Sequence, residues 1–157
     1  MTMAIQFDIR RDDVTGPAIV ALIRLHLDSM HAQSPPESVH ALGIEALRKP
    51  EITVWSVWAG DDLAGCGALK ELDREHGEIK SMRTAPQHLR KGVAARLMEH
   101  ILTEAQRRSY RRISLETGST DGFDPALRLY ERFGFERCGP FADYKNDPFS
   151  VFMTKVL

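Results

Sequence analysis

Gly77-Glu78-Ile79-Lys80-Ser81-Met82-Arg83-Thr84-Ala85-Pro86, then Gln87-His88-Leu89-Arg90-Lys91-Gly92-Val93-Ala94, then Ala95-Arg96-Leu97-Met98-Glu99-His100-Ile101-Leu102 and on to Ser109: this stretch decides the fold. It reads as a strand, a tight turn and a long helix. Val93, Leu97, Ile101 and Ala105 recur at helical spacing, flanked by Ala94, Met98 and Leu102, so the helix has an apolar face to lay on a sheet. Pro86 stops the strand from running on. The turn is then a helix N-terminus, where unpaired N–H groups and the positive end of the helix dipole attract phosphate. Gly92 and Ala94 keep a pyrophosphate's approach to the backbone open, and Arg90 and Lys91 add charge beside it. Neither a G-x-x-x-x-G-K-[ST] run nor a G-x-G-x-x-G fingerprint occurs, which excludes the commoner nucleotide-binding loops.

Outward from this stretch, the chain of 157 residues fits one domain. Its 21 basic and 22 acidic residues leave a net charge of -1 and no basic field, so nucleic acid is not expected as a partner. Arg107, Arg108, Arg111 and Arg112 read as a solvated cap at a helix C-terminus. Cys66 and Cys138 are too few for a disulfide framework and read as small buried hydrophobes. The six histidines are scattered without metal-ligand spacing, so no metal site is expected. With neither a signal peptide nor a run of membrane-spanning length, the expectation is a cytoplasmic protein with no membrane partner.

Before the central stretch, Ile5, Phe7 and Ile9 alternate with polar residues and predict a half-buried first strand near a sheet edge. Pro17 opens an amphipathic helix to about Gln33, with His26 on its apolar stripe as a satisfied, partly buried side chain. Ser34-Pro35-Pro36 breaks it. Ser34 or Ser38 would cap a second helix carrying Leu42, Ile44 and Leu47. Ile52 to Ala59 and Leu63 to Leu72 form a hairpin about Gly60-Asp61-Asp62, with Trp55 and Trp58 in the core on opposite faces. Gly65 and Gly67 inside the second of these strands indicate close backbone approach or a bulge.

After the central helix, Ile113 to Thr117 is a strand. Asp124 caps a helix with Pro125 at its first position, Gly134 ends it, and strands follow from Phe135 to about Cys138 and from Val151 to Val156. The elements thus run strand, two helices, three strands, helix, strand, helix and two strands, with the strands before the central helix in an antiparallel meander.

The strand, Pro, turn and Gly-x-Ala helix start, followed by Leu129-Tyr130-Glu131-Arg132-Phe133-Gly134-Phe135, resembles the GNAT family of N-acetyltransferases. That family's turn has the form Gln/Arg-x-x-Gly-x-Gly/Ala, and Leu89 stands here where Gln or Arg is usual. The resemblance spans nearly the whole chain and implies an α/β fold with a central mixed, mostly antiparallel sheet and helices on both faces, and the cosubstrate it implies is acetyl-CoA. It would be held by Leu89, Arg90, Lys91, Gly92, Val93 and Ala94 at the turn and by Met82, Arg83 and Thr84 on the central strand. Backbone groups of Met82 and Thr84 would pair with the pantetheine amides in a gap between that strand and the next.

Acetyl transfer to an amine needs a base for the ammonium and an acid for the departing thiolate. The resemblance puts Glu116 where some members carry the base, with Glu78 as rival and Lys80 on the same strand face. A structural salt bridge is the alternative for these three. Tyr130 corresponds to the residue that similar enzymes use as general acid. His31, Glu37, His40 and Tyr144 are expected at the acceptor, which would be a small-molecule or peptide amine, and the resemblance is compatible with a homodimer. A non-catalytic acyl-CoA-binding or sensing module is the rival reading.

Overall fold

A computed structural model describes residues 6–157. The elements run β1 (Asp8–Asp12), α1 (Pro17–Gln33), α2 (Ile44–Leu47), β2 (Ile52–Ala59), β3 (Asp62–Glu71), β4 (His76–Thr84), α3 (Val93–Arg107), β5 (Arg112–Gly118), α4 (Asp124–Arg132), β6 (Glu136–Cys138) and β7 (Ser150–Val156). The strands form one sheet in the order β1-β2-β3-β4-β5-β7-β6. Every neighbouring pair is antiparallel except β4 and β5. The alternation of β2 splits the core in two. Trp55 and Val57 face a cluster with Leu97, Met98 and Ile101 of α3 and Leu127 and Tyr130 of α4. Ile52 and Val54 face Ile19, Leu22 and Ile23 of α1 and Leu47 of α2. The sheet thus carries an α3 face and an α1 face.

Glycine at two positions of β3 sets how close α3 lies. A Cβ on Gly65 would stand 2.8 Å from Val93 Cγ1, and one on Gly67 would stand 2.8 Å from Leu97 Cδ2 and 2.6 Å from Met82 Sδ. Close approach and bulge both occur here. The pairing shifts register between Cys66 and Ala68, opposite Ser81, whose φ of 57° is left-handed. Cys66 pairs with Arg83 and Ala68 with Lys80, and both Cys66 and Ala68 face α1. Lys80 and Arg83, three residues apart, therefore share the α1 face.

Several expectations need correction. β1 is an edge strand as expected, but it pairs from Asp8 to Asp12 and not from Ile5, which lies outside the described residues. The predicted second helix shrinks to one turn, Ile44–Leu47, behind a 3-10 turn at Pro36–Ser38. Neither Ser34 nor Ser38 caps it, because Ser38 Oγ donates instead to Asp147 Oδ2 at 2.6 Å. A 3-10 turn at Asp121–Phe123 leads into α4, so Asp124 is its first residue and not its cap. Trp58 is only half-buried, with Arg10 over its ring, because β1 beside it is the sheet edge. Cys66 is buried as expected, but Cys138, on the short edge strand β6, is only partly so. The basic run after α3 is solvated as expected, with Arg107, Arg111 and Arg112 exposed, and is paired locally: Arg107 and Arg108 with Glu104 and Arg111 with Glu75, while Arg112 donates to Thr154.

Candidate functional site

The parallel pair β4 and β5 is joined only from His76 opposite Arg112 to Ile79 opposite Leu115. Beyond that the strands part, and a cleft opens whose walls include Lys80, Ser81, Met82 and Arg83 on one side and Glu116, Thr117 and Gly118 on the other. Tyr130 and Ala126 of α4 border it from the α3 face; His26, Met30 and Gln33 of α1 border it from the opposite face. The parting leaves main-chain groups of β4 without a strand to bond. Ala85 N–H donates to Ala64 O at 2.8 Å, so by alternation Ala85 and Arg83 turn their polar groups to β3, while Thr84 and Met82 turn theirs to the open edge. Arg83 thus stands apart from the other two: its main chain is occupied by β3 and its side chain faces α1.

At the far end of β4 the chain passes through a 3-10 turn at Pro86–His88 and the left-handed Arg90 and Gly92, with φ of 64° and 80°, into α3. Gly92 is the N-cap and contributes no side chain, so no side-chain group competes for the first N–H groups of α3. A Cβ on Gly92 would touch nothing within 4 Å, so the left-handed φ, not crowding, calls for glycine. Leu89 is 59% exposed, and Val93 points into the core, leaving only its main chain for the site. The turn is braced from behind. His88 is buried, its Nε2 hydrogen-bonds Asp62 Oδ2, and Lys91 Nζ lies 3.4 Å from His88 Nδ1. The bond to His88 holds Asp62's carboxyl below its usual value. These features fit a pyrophosphate at the helix start and a pantetheine arm along the open edge.

On the α1 face, Glu78 is 2% exposed and its Oε2 accepts from Tyr144 Oη at 2.5 Å and Lys80 Nζ at 3.1 Å. Lys80 also donates to Tyr144 Oη at 2.8 Å. Residues two apart on β4 point alike, as expected, and the buried pair seals Glu78 from solvent. Burial and then Glu78 drive the Tyr144 hydroxyl's pKa upward. Tyr144 lies on the loop between β6 and β7 and packs edge-on against His40 and Phe141. With Glu37, Lys70 and Asp147 these groups border a second cavity, which shares His40 and Lys80 with the cleft.

Glu116 is the carboxylate of the cleft itself. Burial pushes its carboxyl up, against the pull of Ser150, His40 and Lys80. Tyr130 is buried and its phenol is pushed up to about 12, by burial and then by Glu116. Leu115 packs toward α3, so Glu116 next to it faces α1, whereas Tyr130 stands on the α3 side. The carboxylate and the phenol flank the gap from opposite faces of the sheet.

Of the remaining expected residues, Glu37, His40 and Tyr144 line the second cavity, but His31 is exposed and lines neither opening. The stripe of α1 that faces the cleft is His26, Met30 and Gln33, and His31 falls about 100° round the helix from Met30. His26 is buried as expected, yet among the described residues its Nδ1 has no hydrogen-bond partner. Sequence reading also missed the brace of Asp62 and His88. Its parts lie 26 residues apart, and nothing in the spacing signals it.

Comparison with known proteins agrees with this geometry. Residues 19–135 match the model of the acetyltransferase (GNAT) family. A Bacillus subtilis (strain 168) protein called an uncharacterized N-acetyltransferase is 64% identical over 149 residues, covering 95% of this chain and 99% of its own. An Escherichia coli (strain K12) protein described in the same words is 54% identical over 151 residues, covering 96% of this chain and 95% of its own. Among solved structures, a GNAT family acetyltransferase from Elizabethkingia anophelis with acetyl-CoA bound superposes with a TM-score of 0.68 at 17% identity, over 96% of this chain and 98% of that one.

Proposed function

The chain belongs to the acetyltransferase (GNAT) family and is an N-acetyltransferase with acetyl-CoA as cosubstrate, and from that premise we propose that it acetylates a primary amine by direct attack on the thioester. The observation that carries this reading is the placing of Glu116 and Tyr130 on opposite faces of the gap between β4 and β5.

The thioester supplies the acetyl group. The turn from Leu89 to Ala94 holds the pyrophosphate on main-chain N–H groups, and Met82 and Thr84 bond the pantetheine amides along the open edge of β4. The acceptor approaches from the α1 face, where Glu116 takes the proton of its ammonium. Burial raises the Glu116 carboxyl above its usual value, which makes it a better base than a solvated glutamate. Nitrogen bonds to the carbonyl carbon, the carbon–sulfur bond breaks, and Tyr130 gives its proton to sulfur. The surplus proton on the acylated nitrogen passes through water to the Tyr130 phenolate, leaving the amide and the free thiol. A phenol pushed up to about 12 stays protonated until the thiolate forms.

Glu78 is the weaker candidate for the base, because its Oε2 is committed to Tyr144 and Lys80. It fixes those two side chains beside the acceptor's cavity, where Glu37 and His40 also contribute. The acceptor is a small molecule, an amino acid or a protein N-terminus.

Thiol release from acetyl-CoA against a panel of amines tests the reading. One or more amines should release thiol, and Tyr130→Phe should lower kcat about 10²-fold or more with acetyl-CoA affinity nearly unchanged. Wild-type turnover by that variant would make Tyr130 a packing residue only. Tight acetyl-CoA binding with no thiol released by any amine would leave an acyl-CoA-binding module in place of the enzyme.

A further inference from the structure

Glu78, Lys80, Arg83 and Glu116 share the α1 face of the opened sheet, and three of them are accounted for. Lys80 neutralises Glu78, and Glu116 faces the acceptor amine in the proposed reaction. Arg83 is left over. Its side chain is half-buried on the cleft wall, and among the described residues it forms neither an ion pair nor a side-chain hydrogen bond. Burial pulls its pKa down, and the neighbouring Cys66 thiol, pushed up to about 12 by burial, is uncharged at neutral pH. A half-buried guanidinium on a cleft wall, with no anion paired to it among the described residues, is placed to take an anion that arrives with a ligand.

A second, independent feature lies at the same place. His26 of α1 borders the same cleft, is only 8% exposed, and its buried Nδ1 has no partner among the described residues. Such groups are rare, because a buried polar atom that nothing satisfies is unfavourable. Arg83 is close enough to contribute to depressing the charge of His26, so the two belong to one locus.

The position of this locus selects the ligand. The phosphate-binding turn starts α3 on the other face of the sheet, whereas Arg83 is turned toward α1 by the bulge at Ser81. Its anion therefore comes with the molecule that approaches Glu116 from the α1 face. Arginine's planar fork matches a carboxylate with two parallel hydrogen bonds. Building on the N-acetyltransferase reading, we propose that the acceptor is an amine that also carries a carboxylate, with Arg83 as the residue that recognises the carboxylate and His26 lining the same subsite.

The test measures thiol release from acetyl-CoA with L-amino acids, β-alanine and 4-aminobutyrate, each beside the amine that lacks its carboxylate, and with phosphoethanolamine. A carboxylate-bearing amine should be used with kcat/KM at least about tenfold above its decarboxylated partner, the span expected of a charged hydrogen-bonded pair. Arg83→Met should raise KM for that substrate about tenfold or more, erase the preference, and leave the KM for acetyl-CoA unchanged; Arg83→Lys should fall between. Removing Arg83 strands no partner, so the fold should persist, and the wild-type comparison decides even if it does not. Equal use of the paired amines, a preference that survives Arg83→Met, exclusive use of phosphoethanolamine, or a raised KM for acetyl-CoA would each overturn the proposal. If amines are turned over without preference, only this inference fails. If none is turned over, the N-acetyltransfer reading itself fails and takes the inference with it.

Discussion

His26 makes the stability of this protein depend on pH in a calculable way. Burial, and then the charge of Arg83, depresses its pKa from 6.5 to about 4. An unfolded chain takes up a proton at this histidine as pH falls through 6.5, whereas the folded chain does not until about pH 4. The stability present above pH 6.5 is therefore lost progressively down to about pH 4. At about 1.4 kcal/mol per pH unit the full loss is about 3 kcal/mol, and about 2 kcal/mol is gone by roughly pH 5. That is a sizeable part of the ~5–15 kcal/mol that holds a domain together. Carboxylates titrate in the same window, so the quantity to measure is the difference between wild type and His26→Leu. Urea unfolding followed by the fluorescence of Trp55 and Trp58, at pH 7.5 and pH 5, gives that difference. On acidification it should move about 2 kcal/mol in favour of the variant. An unchanged difference would mean that His26 charges freely in the folded state, and the argument for an unpartnered buried imidazole beside Arg83 would collapse.

The other consequences concern the cosubstrate and the base. Gly92→Glu should abolish acetyl-CoA binding by calorimetry, since it sets an anion where the pyrophosphate must lie. Gly92→Ala is the control that carries only the cost of a left-handed backbone, about 1–2 kcal/mol of stability; undiminished binding by the Glu variant would move the phosphate site elsewhere. Glu116→Gln should lower kcat about 10²-fold to 10⁴-fold with little change in acetyl-CoA affinity. Because burial raises the Glu116 carboxyl above its usual value, the acidic limb of the wild-type pH–rate profile should lie above pH 4.5 and vanish in the variant; a limb that persists in Glu116→Gln would assign the base to another group.

How much of this was legible in the sequence depends on whether a feature is local. The central helix was, because fifteen residues from Val93 to Arg107 carry one apolar stripe and a glycine precedes them where φ must be positive. Tyr130 and Glu116 were placed by motif, and their two faces follow from the alternation of β5 and the packing of α4. The segment from Ser34 to Gly43 was not legible. Its serines have the chemistry of helix caps, but Ser38 is taken by Asp147, 109 residues away, and no local rule registers such a partner. His31 failed for a related reason: a helical position one residue off the buried stripe is a different direction altogether.

The bulge at Ser81 has the widest consequence. In an unbroken strand, Glu78, Lys80, Met82 and Thr84 would share one face, and Arg83 would point with Ile79 toward α3. A serine with a φ of 57° is outside what side chains ordinarily adopt, so nothing in its identity announces the extra residue. That one residue turns Met82 under α3, where its sulfur meets the space left by Gly67, and turns Arg83 out onto the face that Glu116 shares. The α3 side of the gap is thereby kept apolar, and the α1 side, from which the proposed acceptor approaches, acquires the Arg83 charge. A strand reading that is correct residue by residue in type is thus wrong in facing from Met82 onward, and the facing decides which molecule Arg83 can meet.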